Sequence, residues 1–523
     1  MKPNFLVFIV DQLCASHLGC YGNDRIDTSN IDALARAGWR AEDCNVATPI
    51  CMPNRASLLT GRMPSVHGVR HNGIPLSLGA RTFVDALREA GYMTSLTGKS
   101  HLQNMTAKPP LPVPGAPRWP LDAELGFPGD YRQECVATWH GNENAAVTTP
   151  FYGFDRVELA IEHGDQAEGD YRRWLRANHT ELADRVGPDH AIPAPEYVLT
   201  SVGQAWRSRL PEACHPTAWI ADRTIERLRE AKEAGRPFFA YCSFPDPHHP
   251  YTPPGRYWDM YKPEEVELPA SFHSQDPPPH LRWLREQRDR GQAVKRTMAC
   301  FAATEREARE AIALGQGSLS FIDAQIGRVL AQLRALGLED DTVVVFTSDH
   351  GEFAGDHQLL FKGSLHYRSL IRTPLVWRDP AGLAGGVHRG LLSTIDIAPT
   401  ILERAGVPAY NGIQGRSFLA GAQGREAEGA GREAVVIEED GQRIYFGFDA
   451  PVRMRTLLTR GHRLSVYRGV EWGELYDRAA DPHEARNLWH DPAASALKSG
   501  LMERLAREML DLMETNPAPT AVA

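Results

Sequence analysis

Continuous apolar runs alternate with amphipathic stretches through most of the chain. The runs are rich in β-branched and aromatic residues, as buried strands are, while the amphipathic stretches have helical spacing and several end at glycine. The predicted strands are residues 5–10, 92–96, 237–244 and 342–347, and the predicted helices are residues 31–37, 81–90, 218–234 and 304–336. Apolar strands separated by helices predict an α/β fold, in which helices sandwich a large, mostly parallel sheet.

Two regions interrupt this alternation, and a third region ends it. Residues 104–216 and 263–297 are expected to be irregular insertions that shape a substrate pocket. A linker rich in Gly, Ala and Glu at residues 421–432 separates a catalytic domain, residues 1–420, from a C-terminal α+β subdomain, residues 421–523. The subdomain is predicted as a small antiparallel sheet with a covering helix. Its predicted strands are residues 434–438, 444–447, 454–459 and 464–467, and its helix is residues 495–513.

Composition and charge narrow the class of protein. The net charge of −9 and the lack of Lys/Arg runs argue against a nucleic-acid partner. The apolar run at residues 5–10 is too short for a signal peptide or a membrane span, so we expect a cytoplasmic protein with no membrane partner. The eight cysteines lack CxxC spacing and suit free thiols better than disulfides. Both a monomer and a homo-oligomer are compatible with this composition.

The densest chemical signal lies at residues 49–61, which read Pro-Ile-Cys-Met-Pro-Asn-Arg-Ala-Ser-Leu-Leu-Thr-Gly. Pro53 fits the first turn of a helix, so Cys51 is predicted at a helix N-terminus, where free amide groups and the helix dipole stabilise negative charge. Arg55, one turn further on, can lean over the same place. A lone cysteine is more often a buried thiol. Here, however, Cys-x-Pro-x-Arg followed by Leu-Thr-Gly resembles the signature of the type I sulfatases, in the alkaline phosphatase superfamily.

This resemblance implies an alkaline-phosphatase-like fold and a sulfuric ester hydrolase. It also implies that a formylglycine-generating enzyme oxidises Cys51 to formylglycine while the chain is still unfolded. The aldehyde then hydrates to a diol, and one hydroxyl attacks the sulfur of a small anionic sulfate ester. The second hydroxyl collapses to the aldehyde and expels sulfate. Arg55 belongs to the same catalytic group in this pattern.

Acidic residues follow two of the predicted strands. Asp11 stands at the end of the first strand, and Asp349 and His350 follow the strand at residues 342–347. Carboxylates at the tips of adjacent strands repel each other unless a cation lies between them. In the sulfatase pattern Asp11, Asp349, His350 and the modified Cys51 are the ligands of one divalent metal. The oxygen-rich set favours Ca²⁺, while the imidazole leaves Mn²⁺ open.

Three further segments match the sulfatase pattern and complete the catalytic set. In Gly-Lys-Ser-His, Lys99 would bind the diol and a sulfate oxygen, and His101 would take the proton of the second hydroxyl as sulfate leaves. In Pro-His-His-Pro, His248 would contact sulfate and protonate the leaving oxygen. Lys362 matches the lysine that pairs with sulfate and the ester oxygen. Converging cations of this kind stabilise charge on a transferring group.

Asn72, which aligns with an asparagine beside the site of related hydrolases, and Gln12 are the predicted substrate-binding residues. Gln12 stands where many relatives carry a second aspartate, and His350 where many carry asparagine. Both departures resemble the choline-sulfatase and phosphonate monoester hydrolase branches. Lys99 and His101 resemble the sulfatases more closely, because the phosphonate branch has a Tyr-x-Thr pattern at the positions that match Lys99 and His101. We therefore expect hydrolysis of an aryl or alkyl sulfate monoester. The alternatives are a phosphonate monoester or phosphodiester hydrolase and, less favoured, a non-catalytic binder of sulfated ligands.

Overall fold

The computed structural model describes residues 2–111, 126–195, 197–425, 431–444 and 446–522. Its strands are β1 Asn4–Asp11, β2 Trp39–Asn45, β3 Met93–Gly98, β4 Arg156–Ile161, β5 Glu168–Gly169, β6 Phe238–Pro247, β7 Phe301–Ala302, β8 Thr342–Ser348, β9 Leu359–Leu360, β10 Arg372–Thr373, β11 Leu375–Arg378, β12 Gly386–Ser393, β13 Ala434–Asp440, β14 Arg453–Thr459, β15 His462–Tyr467 and β16 Gly473–Asp477.

Its helices are α1 Ser29–Ala37, α2 Cys51–Thr60, α3 Pro64–His67, α4 Phe83–Glu89, α5 Val136–Trp139, α6 Asp170–Asn178, α7 Thr180–Ala183, α8 Val198–Ser201, α9 Pro216–Ala234, α10 Pro279–Asp289, α11 Glu305–Ala335, α12 Arg368–Ile371, α13 Ile397–Ala405, α14 Leu419–Ala422 and α15 Ser495–Asp511. Among the described residues, no helix combines the length and the apolar composition needed to cross a bilayer.

The central sheet has the strand order β10-β2-β11-β8-β1-β6-β3-β4-β5, and β12 also pairs with β2. Its middle is parallel, because β8, β1, β6, β3 and β4 all run in one direction. β11 is antiparallel to both β8 and β2. The predicted large, mostly parallel sheet is therefore confirmed, with a group of antiparallel pairings at one side.

Helices cover both faces of this sheet, as predicted. Alternate residues of β1 point to opposite faces, since a strand repeats every two residues. Phe5, Val7 and Ile9 pack in a cluster with residues of α2, α4 and α13. Leu6, Phe8 and Val10 pack in a second cluster with residues of α1, α9 and α11. Burial on both sides explains why β1 is apolar at nearly every position.

The two predicted insertions contain more regular structure than expected. Residues 104–216 include β4, which pairs with β3 and extends the central sheet, although residues 112–125 and 196 lie outside the described residues. Residues 263–297 include α10. In both cases the elements are short and polar on their outer side, so their periodicity is weak beside the many Pro and Gly residues around them.

The C-terminal subdomain is the predicted antiparallel sheet, in the order β13-β14-β15-β16. One face of the sheet packs on α15, and the other packs on catalytic-domain side chains that include Val46 and Ile371. The strand predicted at residues 444–447 is wrong: Ile444, Phe446 and Gly447 form no strand, and Tyr445 lies outside the described residues. β16 is the fourth strand instead. Of the predicted linker, residues 426–430 also lie outside the described residues.

A buried charge network joins the subdomain to the catalytic domain. Glu474 of β16 accepts hydrogen bonds from the hydroxyl groups of Tyr367 and Tyr467, both at 2.6 Å, and lies 3.5 Å from Nη1 of Arg463. Burial alone would raise the pKa of Glu474, but Arg463 and His280 lower it to about 2. The carboxylate is therefore a fixed anion that ties β16 to Tyr367 of the catalytic domain.

Candidate active site

The four residues predicted to bind a metal lie together at the carboxyl edge of the parallel strands. Asp11 ends β1, Asp349 and His350 follow β8, and Cys51 is the first residue of α2. One ligand atom from each lies within 4.8 Å of all the others, and all four residues are buried. Because parallel strands end at the same edge of a sheet, two strand ends deliver both carboxylates to the start of α2.

The start of α2 is held in place by two asparagine side chains. Asn72 Oδ1 accepts the backbone N–H of Met52 at 3.1 Å, so it occupies one of the amides that a helix N-terminus leaves free. Asn54 is itself a residue of the first turn of α2. Its Nδ2 donates to the carbonyl of Asp349, and its Oδ1 accepts from the backbone N–H of Ala47 at 3.1 Å. Asn72 therefore lies beside Cys51, in contact with the helix that carries it.

Basic side chains surround the two carboxylates. Arg55 Nε donates to Asp349 Oδ2 at 2.8 Å, and Arg55 Nη2 lies 3.6 Å from Asp11 Oδ2. Lys99 Nζ donates to Asp11 and, at 2.7 Å, to His163 Nε2. Burial alone would raise the pKa of Asp11, but the charges of Lys99, Lys362 and Arg55 hold it well below its usual range. The Asp11 carboxylate can therefore act as a charged ligand, and Arg55 holds the Asp349 carboxylate beside it.

Lys362 connects Cys51 to the opposite side of the site. Its Nζ lies 2.9 Å from Cys51 Sγ, 2.6 Å from His248 Nε2 and 3.0 Å from Gln12 Oε1. Burial would lower the pKa of Lys362, but Cys51 and Asp11 raise it. Burial and Asp11 would raise the pKa of Cys51, yet Lys362 and His350 together with Lys99 lower it. The ammonium group of Lys362 therefore lies directly against Cys51, the predicted nucleophile.

The donor set fits a divalent cation. Nδ1 of His350 lies 2.8 Å from the carbonyl of Gly351, which can only accept, so Nδ1 is the donor and Nε2 is the nitrogen that faces the other ligand atoms. Nε2 lies 3.6 Å from Asp11 Oδ1, 3.8 Å from Asp349 Oδ1 and 3.1 Å from Cys51 Sγ. Two carboxylates, one imidazole and residue 51 are a donor set that Ca²⁺ or Mn²⁺ accepts.

The structure adds His163, which sequence reasoning missed. It follows β4, its Nε2 accepts from Lys99, and its ring stacks on His248 with centroids 3.8 Å apart. Burial and Lys99 lower the pKa of His163. The strand-end rule that found Asp11 could also have found His163, but its strand lies inside residues 104–216, which were expected to be irregular.

Gln12 has backbone φ of +68°, and its side chain reaches two further buried residues. Its Nε2 contacts Glu352 and lies 3.2 Å from Nδ1 of His249, a histidine with no predicted role. Glu352 was not predicted either; burial raises its pKa. Gln12 also accepts from Lys362, so it orients the lysine.

His101 has backbone φ of +57°, and its backbone N–H donates to Glu134 Oε1 at 2.8 Å. Burial and Lys99 together with Arg55 lower its pKa well below the usual range, so the imidazole is neutral. Its Nδ1 is buried and has no hydrogen-bond partner among the described residues. A neutral ring with a free nitrogen can accept a proton.

A cavity of about 550 Å³ opens above Cys51. His101, His163, His248 and Lys362 line its base. Its walls come from residues 104–111 and 298–299 and from residues 439–443 of the C-terminal subdomain. The site is therefore an anion pocket that both parts of the chain enclose, with room for an organic group above the reactive residue.

Comparison with known proteins identifies the family to which the chain belongs. The family model "Sulfatase" matches residues 3–407, and the model "N-sulphoglucosamine sulphohydrolase, C-terminal" matches residues 355–511. An arylsulfatase of Clostridium perfringens is 29% identical over 424 residues, which is 80% of this chain and 78% of that protein. The multifunctional alkaline phosphatase superfamily protein PehA of Trinickia caryophylli is 30% identical over 95% of this chain and 93% of its own length.

Among solved structures, the phosphonate monoester hydrolase of Agrobacterium radiobacter superposes with a TM-score of 0.80 at 25% identity, covering 100% of this chain and 98% of that one. The fold is therefore alkaline-phosphatase-like, as predicted. The family match covers more than half of the chain and includes the whole cluster around Cys51. The chain belongs to the sulfatase family of the alkaline phosphatase superfamily, and it is a hydrolase acting on sulfuric ester bonds.

Proposed function

We propose that the protein hydrolyses an aryl or alkyl sulfate monoester to an alcohol and sulfate, using formylglycine made from Cys51 and one divalent metal ion. The arrangement around Cys51 carries the proposal. Its Sγ lies 3.1 Å from His350 Nε2, 2.9 Å from Lys362 Nζ and 3.7 Å from Asp11 Oδ1. A thiol placed among metal donors and a lysine, at a helix N-terminus, suits a residue that becomes the nucleophile.

Each surrounding residue has a role in this proposal. Formylglycine at residue 51 would supply, as its hydrate, an oxygen nucleophile for the sulfur of the ester. Lys99 and Lys362 bind sulfate oxygens, and Arg55 holds Asp349. His101 accepts a proton when sulfate leaves, which its neutral state permits. Burial and His163 together with Lys362 lower the pKa of His248, and a bound anionic sulfate would raise it again, so His248 becomes an acid when substrate is present.

We further propose that Asp11, Asp349, His350 and the modified residue 51 bind Ca²⁺, with Mn²⁺ as the second candidate. We expect elemental analysis of the active protein to find about one calcium per chain, because two carboxylates dominate the donor set. The Asp349→Asn variant should lose most of this calcium, since it removes one of the two charges. A stoichiometric content of manganese in active protein would contradict the assignment of calcium.

A second function, phosphonate monoester or phosphodiester hydrolysis, is supported by Gln12 and His350 and by the likeness to phosphonate monoester hydrolase. Lys99 and His101 support the sulfatase. We expect kcat/KM on 4-nitrophenyl sulfate to exceed that on 4-nitrophenyl phenylphosphonate by roughly tenfold or more, because one well-placed interaction is worth about that factor. Both esters are assayed with the same preparation. A clear preference for the phosphonate would reverse the order of the two functions.

A further inference from the structure

The C-terminal subdomain contributes a charged wall to the cavity. The connection from β13 to β14 brings Gln442 and Arg443 to the cavity, beside Asp440 at the end of β13. Gln442 Nε2 lies 2.8 Å from His71 Nδ1 of the catalytic domain. The backbone N–H of Gly441 donates to the carbonyl of Val452 at 2.7 Å. These two contacts anchor residues 441 and 442, which directly precede Arg443.

The acidic groups of this wall already have protein partners. Asp440 Oδ1 lies 3.1 Å from Arg455 Nη1, and its Oδ2 lies 3.5 Å from Arg453 Nε. Glu439 Oε1 accepts from Ser364 Oγ at 2.9 Å, and its Oε2 lies 4.0 Å from His366 Nε2. The Asp440 carboxylate is therefore paired with two arginines, and the Glu439 carboxylate is held by Ser364.

Arg443, in contrast, has no partner of opposite charge: it contacts no carboxylate among the described residues. Its Nη1 donates to Thr297 Oγ1 at 2.8 Å, and no other hydrogen bond of its guanidinium is found in the described part of the chain. The side chain is partly buried and lines the cavity. Lys108 also lines the cavity and is exposed, and its charge acts on Glu162, another lining residue. Burial would raise the pKa of Glu162, but His163, Lys99 and Lys108 lower it. Arg443 is therefore a cation of the cavity lining that has no carboxylate partner among the described residues.

We infer that the natural substrate carries a second anionic group on its organic part, and that Arg443 binds this group. The inference rests on the proposed sulfate ester hydrolysis and specifies the class of substrate. A guanidinium offers several donors in one plane, which matches the oxygens of a carboxylate, a second sulfate or a phosphate. In a partly buried wall such a pair is desolvated on one side and is stronger than a surface ion pair.

The test compares aryl sulfates that carry a carboxylate, on the ring or on a short flexible arm, with their uncharged methyl esters. Sulfate release is followed by ion chromatography. For the best acid we expect kcat/KM to exceed that of its methyl ester by roughly 10- to 100-fold, the range for a charge-assisted hydrogen bond. The same positions carrying a second sulfate or a phosphate identify which anion is preferred.

The Arg443→Ala variant should lose roughly 10- to 100-fold in kcat/KM on the acid and far less on the methyl ester. Arg443→Lys should recover part of the preference, because it restores the charge without the planar fork. Arg460→Ala is the matched control. Arg460 is an exposed arginine of the same subdomain. It lies in the turn between β14 and β15, whereas Arg443 lies in the connection at the opposite end of β14. The control variant should leave the preference unchanged.

Two results would overturn the inference. One is a wild-type enzyme that prefers none of the acids to its methyl ester. The other is an equal loss on acid and ester in Arg443→Ala with an unchanged melting temperature. Turnover of 4-nitrophenyl sulfate reports separately on the proposed function. An enzyme that is active on this neutral aryl group but gains nothing from any added anion contradicts only the role of Arg443.

Discussion

The Cys51→Ala variant is expected to lose sulfate ester hydrolysis by on the order of 10⁴-fold or more in kcat, because the proposed attacking oxygen is carried by residue 51. The change removes a buried thiol at the first position of α2, where alanine is tolerated, so the fold should survive. The measurement is the rate on 4-nitrophenyl sulfate, together with a thermal melt. Cys20→Ala serves as the matched control, since Cys20 is a partly buried free cysteine outside the cavity.

Mass spectrometry of the peptide that contains residue 51 separates the modification from catalysis. In protein from a host with the modifying enzyme, we expect the mass loss that accompanies conversion of the thiol group to an aldehyde. An active enzyme with an intact thiol would contradict the formylglycine proposal. A near-normal rate in Cys51→Ala would remove residue 51 from the mechanism.

The Lys362→Ala variant is expected to lose about 10³-fold in kcat/KM, and more with phenyl sulfate than with 4-nitrophenyl sulfate. Lys362 contacts Cys51 and His248 at once, so it lies between the nucleophile and the proposed acid. Without it, negative charge on the leaving oxygen is less stabilised, which matters most for a poor leaving group. Rates on a series of phenyl sulfates with different phenol pKa values measure this dependence.

The matched control for Lys362 is Lys232→Ala, an exposed lysine in the last turn of α9, which should behave as wild type. A loss that is the same for every leaving group would contradict contact with the ester oxygen and would leave Lys362 as a binder of sulfate alone. A near-normal rate on all esters would contradict both roles.

Much of the central sheet could be predicted because its strands are buried on both faces. Residues 5–10 and 342–347 were predicted as strands, and the structure has β1 Asn4–Asp11 and β8 Thr342–Ser348. Apolar or β-branched side chains at every position favour a buried strand for such a run. The short segments of the C-terminal subdomain alternate only weakly, so the strand predicted at residues 444–447 was wrong, and β16 was missed.

The sequence alone determined which residues stand in recognisable local motifs, after strands or at a helix start, and the structure brings Cys51, His248 and Lys362 of these motifs into contact. Only the tertiary structure decided which other residues join them. His163, Glu352 and Arg443 reach the site from an insertion, a loop and a second subdomain, and no local periodicity marks their approach. Local propensity and motif act over a few residues, whereas the partners of a buried charge are chosen by the packing of distant segments.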